Sequence, residues 1–460
     1  MIQLAARFRT VLTVALLALC AGTFAQAASE CPFNGGFDVT NLSVPVGWTI
    51  QGKWLLRSEA SYGSKNGILV RPDLVNVGDR LITDGYVLAG PGETLNLSLH
   101  YTSRDGGPGI GLIFCDAFGR AVGEGLVESL PPADTWTTHE RSITLTAEAC
   151  PVPYAAVRPF FIIERAGVQA KLDGLTLTRE HAETPAPLLP NVKIEQRPNL
   201  LTNPTMRRAD DGTMIGWSAL DCGGYSANSA VVMPITDSAS GTLALMGTDQ
   251  AAAWLSEPTA VDVSLPYTVR AEVSTADLNK SQAVLLVRVI DPVDAGSIWM
   301  QYTVSAEATK GPTQFRVNLP RLTVTPSPGR VQIALLLDAG GEGAATMAAV
   351  ALEPEPLTLT VRASPNTDFK RTKDVNLFVT AINNAACEIQ PKACIKVIDS
   401  DGKQVAYQEP KLVAVPSRNA AFFPYKPKLP GAGEYKMLVT ICSAGRELAS
   451  SELVFRVLGE

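Results

Sequence analysis

Thr94–Tyr101 reads TLNLSLHY, with Leu95, Leu97 and Leu99 at alternate positions and Asn96, Ser98 and His100 between them. A period of two marks a half-buried strand, because successive side chains leave opposite faces of a pleated backbone. Tyr267–Ser274 repeats the pattern, Tyr267, Val269, Ala271 and Val273 alternating with Thr268, Arg270, Glu272 and Ser274. Ile110–Asp116, Tyr154–Glu164, Val284–Ile290 and Val331–Asp338 are nearly continuous apolar runs, suited to more deeply buried strands. Gly, Pro, Asn and Asp punctuate these segments, and no capped amphipathic helix of any length is legible between them. The reading is all-β, built from sandwiches of short strands.

Two proline-rich joints divide the chain. Glu180–Pro190 (EHAETPAPLLP) reads as a stiff extended linker, and Glu353-Pro354-Glu355-Pro356 as a shorter one. The expected domains are 28–180, 191–354 and 355–460, with 181–190 as the linker. Three domains suit a chain of 460 residues at roughly 150 per domain. The first two look like copies. Asn34-Gly-Gly-Phe37-Asp38 leads to Val46-Gly47-Trp48, and Asn203-Pro-Thr-Met206-Arg207 leads to Ile215-Gly216-Trp217, with Asn and Trp 14 positions apart in both. The third carries short strands from Leu357–Val361 to Glu452–Leu458, with Asp401-Gly402 as a two-residue hairpin signal. Its Gly433-Glu434-Tyr435 resembles a tyrosine corner, which implies an immunoglobulin-like sandwich.

Charge and leader narrow the setting. Met1–Arg9 carries Arg7 and Arg9 without an acid, Thr10–Gly22 is apolar, and Ala25-Gln26-Ala27 forms an A-x-A site. This is the form of a secretory signal peptide over residues 1–27, cleaved before Ala28, and it predicts a secreted or periplasmic protein. The apolar stretch falls short of the length of a membrane span, and no later segment reaches it without charges. Leu19 before Cys20 departs from a lipobox, which normally has a small residue there. Loss of the two leader arginines takes the net charge from −6 to −8, and no basic run offsets it, which argues against a nucleic-acid partner. Three histidines argue against a histidine-rich metal enzyme.

Export makes Cys31, Cys115, Cys150, Cys222, Cys387, Cys394 and Cys442 disulfide candidates, since no C-x-x-C pair suggests zinc. Cys387 and Cys394 lie across a short connection and are the expected bridge, with Cys394–Cys442 as the alternative. One pair among Cys31, Cys115 and Cys150 is also expected.

NGGFD…VPVGW near the start, DTWTTHERSITLT further along and VQAKLDGLTLTR at the end of the first domain resemble the galactose-binding-like jelly rolls of carbohydrate-binding modules. Those families open on N-G-x-F-[DE], continue to P-x-G-W and close on f-D-x-[VL]-x-[LF]. The resemblance covers about 150 residues, the size of one such domain. It is fainter in the second domain, which has Met206 for Phe37 and lacks the final Asp. It implies two tandem β-sandwich jelly rolls, followed here by the immunoglobulin-like β-sandwich. It also implies a structural calcium held in part by Asp38 and Asp173, whose aligned positions in the second copy are Arg207 and Ala348.

The expected ligand is a polysaccharide or oligosaccharide. Aromatic planes stack on pyranose C–H faces while amides and hydroxyls bond sugar hydroxyls. Trp54, after the Gly52-Lys53 loop, is the preferred platform; Phe118, Tyr62, Tyr86 and Trp136 are further aromatics without clear counterparts in the second copy. Asn96, Ser98 and His100 supply the polar face, whereas Arg270 and Glu272 are expected to pair and fill the second. Trp48 and Trp217, shared by both copies, read as core. Catalysis finds little support. There is no G-x-S-x-G, H-E-x-x-H or Walker loop, and the nearest lyase-like set is His100, Tyr101 and Arg104. The reading is a non-catalytic binding protein, alone or as the accessory part of a glycan-degrading system. A surface scaffold binding a protein partner and a jelly-roll polysaccharide lyase are the alternatives.

Overall fold

The computed structural model describes residues 33–41, 44–179, 185–207, 214–220, 230–234, 241–247, 252–279, 282–306, 311–323, 325–337, 342–409, 414–443 and 446–459. The expected leader, its cleavage site, Cys20, Cys31 and Cys222 lie outside the described residues. The protein is all-β, and among the described residues the helical segments are single 3-10 turns. It forms two compact units: Met1–Pro185 with Val289–Gln301, and Ala186–Arg288 with Tyr302–Glu460.

In the first unit one sheet has the antiparallel order Ala133–Thr144, Thr94–Ser103, Ala170–Arg179, Gly67–Val70, Leu55–Arg57. The other runs from Ala121–Ser129 through Gly109–Cys115 and Ala156–Ile162 to Arg80–Thr83 and Trp48–Gln51. Alternation in TLNLSLHY does what it predicts: Leu95, Leu97, Leu99 and Tyr101 turn inward onto a core shared with Ile110, Leu112, Phe114, Val157 and Phe161. Each such side chain contributes about 1.5–3 kcal/mol by leaving water. Gly109–Cys115 is buried on both faces. Its outer side, with Ile113 and Cys115, packs with Tyr86, Phe160, Ile290 and Ile298, the last two from the Val289–Gln301 segment. That segment also adds a strand, Ser297 and Ile298 pairing with Val87 and Tyr86.

The second unit repeats this sheet order. Thr313–Leu319, Tyr267–Asn279, Glu342–Pro354, Gly241–Gly247 and Ala230–Pro234 follow one another as their counterparts do in the first. The opening motif is duplicated down to its hydrogen bonds. Asn34 Nδ2 donates to the carbonyls of Val39 (2.8 Å) and Val46 (2.9 Å), and the Trp48 indole N–H donates to Asn34 O at 3.1 Å. Asn203 Nδ2 donates to Arg207 (2.7 Å) and Ile215 (2.9 Å), and Trp217 donates to Asn203 O at 3.2 Å. Both asparagines adopt left-handed backbone, as do Phe37 and Met206. Asparagine tolerates that region where most residues do not. One detail differs. Asn34 Oδ1 accepts from Val39 N–H, five residues on, but Asn203 Oδ1 accepts from Arg207 N–H, four residues on. In hydrogen-bonding terms Arg207 thus stands in the place of Val39 and not of Asp38, although the spacing from Asn to Trp is the same in both copies.

A second sandwich within this unit pairs Leu357–Ala363, Leu377–Asn383 and Ala420–Tyr425 in one sheet. The facing sheet is Asp368–Phe369, Arg446–Val457, Gly433–Ser443, Lys392–Asp399 and Gln404–Gln408. The Tyr435 hydroxyl donates to Gly431 O at 2.9 Å, the local tie that its sequence signal predicts. The hairpin at Asp401-Gly402 is a residue longer than expected. Asp399 and Lys403 close it, Gly402 N–H donates to Asp399 O at 3.0 Å, and Gly402 takes the left-handed conformation.

The expected Cys387–Cys394 bridge is not formed: both are free thiols, as are Cys115, Cys150 and Cys442. The connection is held by other bonds. Asn383 Nδ2 donates to Cys387 O, and Ile389 and Val415 exchange backbone hydrogen bonds.

Asn34→Ala removes two donors and an acceptor from a strained turn. It is expected to lower stability by about 2–3 kcal/mol, at roughly 1 kcal/mol per hydrogen bond. The urea midpoint of the full-length protein measures this, and Asn203→Ala should cost a similar amount.

Candidate functional site

The outer face of Thr94–Ser103 carries Asn96, Ser98 and His100, as its alternation predicts. Register places Ser142, Glu140 and Thr138 opposite them on one side, and Thr178, Thr176 and Asp173 on the other. Ser142 donates to Asn96 Oδ1 at 2.8 Å, and His100 Nδ1 lies 3.1 Å from Thr138 Oγ1. Asn96, Ser98, Glu140, Ser142, Thr176 and Thr178 line a depression of about 310 Å³. Beyond His100 on the same strand, a second depression of about 260 Å³ is lined by Thr102, Arg104, Asp134, Gln169 and Lys171.

Between the two depressions stands an aromatic group. Tyr62 stacks on His100, centroids 4.2 Å apart and planes 29° from parallel, and lies against Trp136 at 5.4 Å. Tyr62 remains 52% exposed. Its position comes from the loop that carries it. Asp173 Oδ2 accepts Tyr62 N–H (2.6 Å) and the Ser64 hydroxyl (2.7 Å), while Asp38 Oδ1 accepts the N–H groups of Lys65 (2.6 Å) and Asn66 (2.9 Å). The two aspartates singled out in the sequence therefore grip one loop from both ends. Asp173 is 1% exposed, and its Oδ1 has no hydrogen-bond partner. It sits at a bulge, where Asp173–Thr176 faces only Ser98–His100. Gly174 has φ +63°, and a Cβ there would stand 2.9 Å from His100 Cδ2. Glycine gives the imidazole room to lie across the sheet.

Two expected ligand residues are elsewhere. Trp54 is 4% exposed and packs in the core against Phe161, centroids 6.5 Å apart. The loop before it turns its side chain inward, so it offers no surface platform. Phe118 is fully buried in the Asp116–Arg120 turn of the opposite sheet, its carbonyl accepting from Gln301 Nε2 at 2.6 Å. Tyr86 is buried too, its hydroxyl donating to Gln301 Oε1 at 2.7 Å. Tyr62 and Trp136 are instead the aromatics beside His100 on the outer face. Their available signal was the absence of counterparts in the second copy; the small polar Ser61–Asn66 loop gave no further one. The lyase-like set is divided, with His100 outward, Tyr101 in the core and Arg104 in the far depression.

The equivalent face of the second copy is built from ions. Register and a matching bulge put Glu272 where His100 stands, Arg270 where Ser98 stands and Ala348 where Asp173 stands. Ala349 replaces Gly174 yet keeps a left-handed φ of +47°. The expected Arg270–Glu272 pair is not made. Arg270 bonds Glu353 and Glu272 accepts from Gln314 Nε2 at 3.3 Å, because cross-strand partners lie nearer than a residue two along the same strand. Arg197 bonds Glu353 (3.2 Å) and Glu355 (3.0 Å). Burial pushes the Glu355 carboxyl above its ordinary range, against the pull of Thr268 and Arg197.

Among the described residues no cluster of three or more His, Cys, Asp and Glu side chains is placed to hold a metal. Nor is any helix among them long and apolar enough to cross a membrane. No family model matches the chain, and no curated protein does. Solved structures resemble the chain only at low identity and low TM-score. The enzymatically active domain of tailspike protein 4 of bacteriophage CBA120 is 14% identical over 33% of this chain and 22% of its own, with a TM-score of 0.25. The tandem family 22 carbohydrate-binding modules of Xyn10C from Paenibacillus barcinonensis are 11% identical over 71% of this chain and 98% of their own, at 0.24. A family 61 carbohydrate-binding module with bound β-1,4-galactotriose is 13% identical over 34% and 99%, at 0.24.

Trp54→Ala is expected to cost about 3–5 kcal/mol of stability, as for other buried aromatics. Tyr62→Ala should change stability by no more than about 0.5 kcal/mol. Urea unfolding of both variants checks the order; a larger loss for Tyr62 would contradict the assignment of core and surface.

Proposed function

We propose that this chain is an exported, non-catalytic carbohydrate-binding protein whose site is the outer face of the five-stranded sheet in the first unit. The observation that carries the reading is the exposed Tyr62 ring, stacked on His100 beside Trp136 and flanked by depressions lined with hydroxyls, amides and charged groups of both signs. Aromatic planes suit the apolar C–H faces of pyranose rings, and Asn96, Ser98, Ser142, Thr176, Thr178 and Gln169 suit their hydroxyls. The ion pairs on the second copy's matching face favour a scaffold role for that copy, since its polar groups already bond one another. The third sandwich, read as immunoglobulin-like, serves as a spacer. The leader over residues 1–27 directs export to the periplasm or beyond.

A calcium ion at the first copy's terminal strands belongs to the same proposal. The buried and unpartnered Asp173 Oδ1 fits a hard cation, which would bind that oxygen, while the Asp38 oxygen that accepts two amides is already engaged. When bound, the ion supplies positive charge that ties strand Ala170–Arg179 to the Tyr62 loop.

Titration of the full-length protein with neutral and acidic polysaccharides tests the function. Tyr62→Ala and Trp136→Ala should each cost about 1–3 kcal/mol of affinity. Glu272→Ala should cost none. Absence of binding to every polysaccharide would overturn the reading, and release of reducing ends or unsaturated sugars would overturn its non-catalytic part.

Calcium is tested separately by melting. Chelator should lower the melting temperature of the wild-type protein, since an ion that binds only the folded state stabilises it. Asp173→Asn should be insensitive to chelator. An unmoved wild-type transition would remove the ion and leave the sugar site standing.

A further inference from the structure

The third sandwich exposes an apolar patch on a sheet face beside an unpaired edge. In the sheet of Leu357–Ala363, Leu377–Asn383 and Ala420–Tyr425, alternate residues face outward. On that outer face Phe378 and Phe422 stack, centroids 5.3 Å apart and planes 18° from parallel. Phe422 is 63% exposed and Ile382 38%. Ala420–Tyr425 is the last strand of its sheet, and among the described residues nothing pairs with its outer edge. An edge strand presents unpaired N–H and C=O groups, and proteins usually blunt it with charge, proline or a cover. Pro424 removes one donor, but apolar Ala420, Ala421, Phe422 and Phe423 remain in sequence.

Charge selects the occupant. The other two strands of the sheet and residues 418–428 carry Arg362, Arg418, Lys426 and Lys428 and not one Asp or Glu, in a chain whose net charge is −6. We infer that this edge takes an extended, acidic segment of a partner protein by strand addition, with apolar side chains seated against Phe422 and Ile382. Main-chain hydrogen bonds supply affinity in that mode, and alternate side chains supply selectivity. A second copy of this chain fits poorly. Antiparallel self-pairing of Ala420–Tyr425 would set Arg418 of one copy against Lys426 of the other, and like charges opposed across a ladder repel. An acidic polysaccharide would answer the cations but leave the edge donors and acceptors without a ladder.

The test uses the full-length protein and a fluorescein-labelled decapeptide of alternating valine and glutamate, read by fluorescence anisotropy. Two comparison peptides replace glutamate with lysine or methylate alternate backbone nitrogens. The glutamate peptide should bind at least tenfold more tightly than either. Phe422→Ser, a change at an exposed position, should weaken it at least tenfold, and the Arg418→Glu, Lys426→Glu double variant should reverse the preference toward lysine. Hydrogen exchange of residues 420–425 should slow when the peptide is present. Failure of the glutamate peptide to bind at millimolar concentration overturns the inference, as does equal binding of the methylated peptide. Tighter binding of polygalacturonate at the same residues would give the edge to a glycan. A concentration-dependent dimer abolished by Phe422→Ser would give it to a second copy.

Discussion

The buried carboxylate of Asp173 joins the last strand of the first copy to the loop that carries Tyr62. It accepts hydrogen bonds from the Tyr62 amide and the Ser64 hydroxyl, and Asp38 holds the far end of the loop in the same way. Charge-assisted bonds of this kind are short and about twice as strong as neutral ones. They set the height and angle of the Tyr62 ring, which reaches His100 only because Gly174 at the bulge leaves space beneath the imidazole. The surface aromatic group is therefore the outcome of a buried polar contact. That explains how a ring can be half exposed and still be anchored through its own backbone amide.

Duplication shows what the fold needs and what it leaves free. Both copies keep the asparagine turn, the tryptophan bonded to it, the five-strand order and the bulge in the closing strand. These satisfy backbone groups and bury the core, so any working copy must have them. What lies on the outer face diverges. Where the first copy has His100, Ser98 and Asp173, the second has Glu272, Arg270 and Ala348. Ala349 keeps the left-handed conformation without glycine, at a cost of about 1–2 kcal/mol for an L-residue. With the aspartate gone, its face is closed by arginine and glutamate instead of opened by an anchored loop.

The two exposed surfaces differ in chemistry as well as in place. One is polar and aromatic with charges of both signs, Glu140, Asp134, Arg104 and Lys171 among them, and centres on an inner strand of a five-stranded sheet. The other is cationic and apolar, at the end of a three-stranded sheet.

Side-chain direction along a strand is a local property, so TLNLSLHY by itself determined which residues would be core and which would face out, and Asn96, Ser98 and His100 stand where it put them. The recurrence of Asn and Trp likewise disclosed the duplication, because the turn they close lies within one short segment. Only the tertiary structure decided the fate of Trp54, Phe118 and Tyr62. An aromatic next to a loop turns inward or outward according to what the distant strands leave unfilled, and Phe161 and the Asp116–Arg120 turn claimed the first two. Asp38 and Asp173 were legible as a pair from their joint loss in the second copy. That they grip the Tyr62 loop was not legible, since it depends on a contact between residues more than a hundred positions apart. The cysteines follow the same rule: nearness in sequence favoured Cys387 and Cys394, but strand register and the bonds of the intervening loop decided that they stay apart.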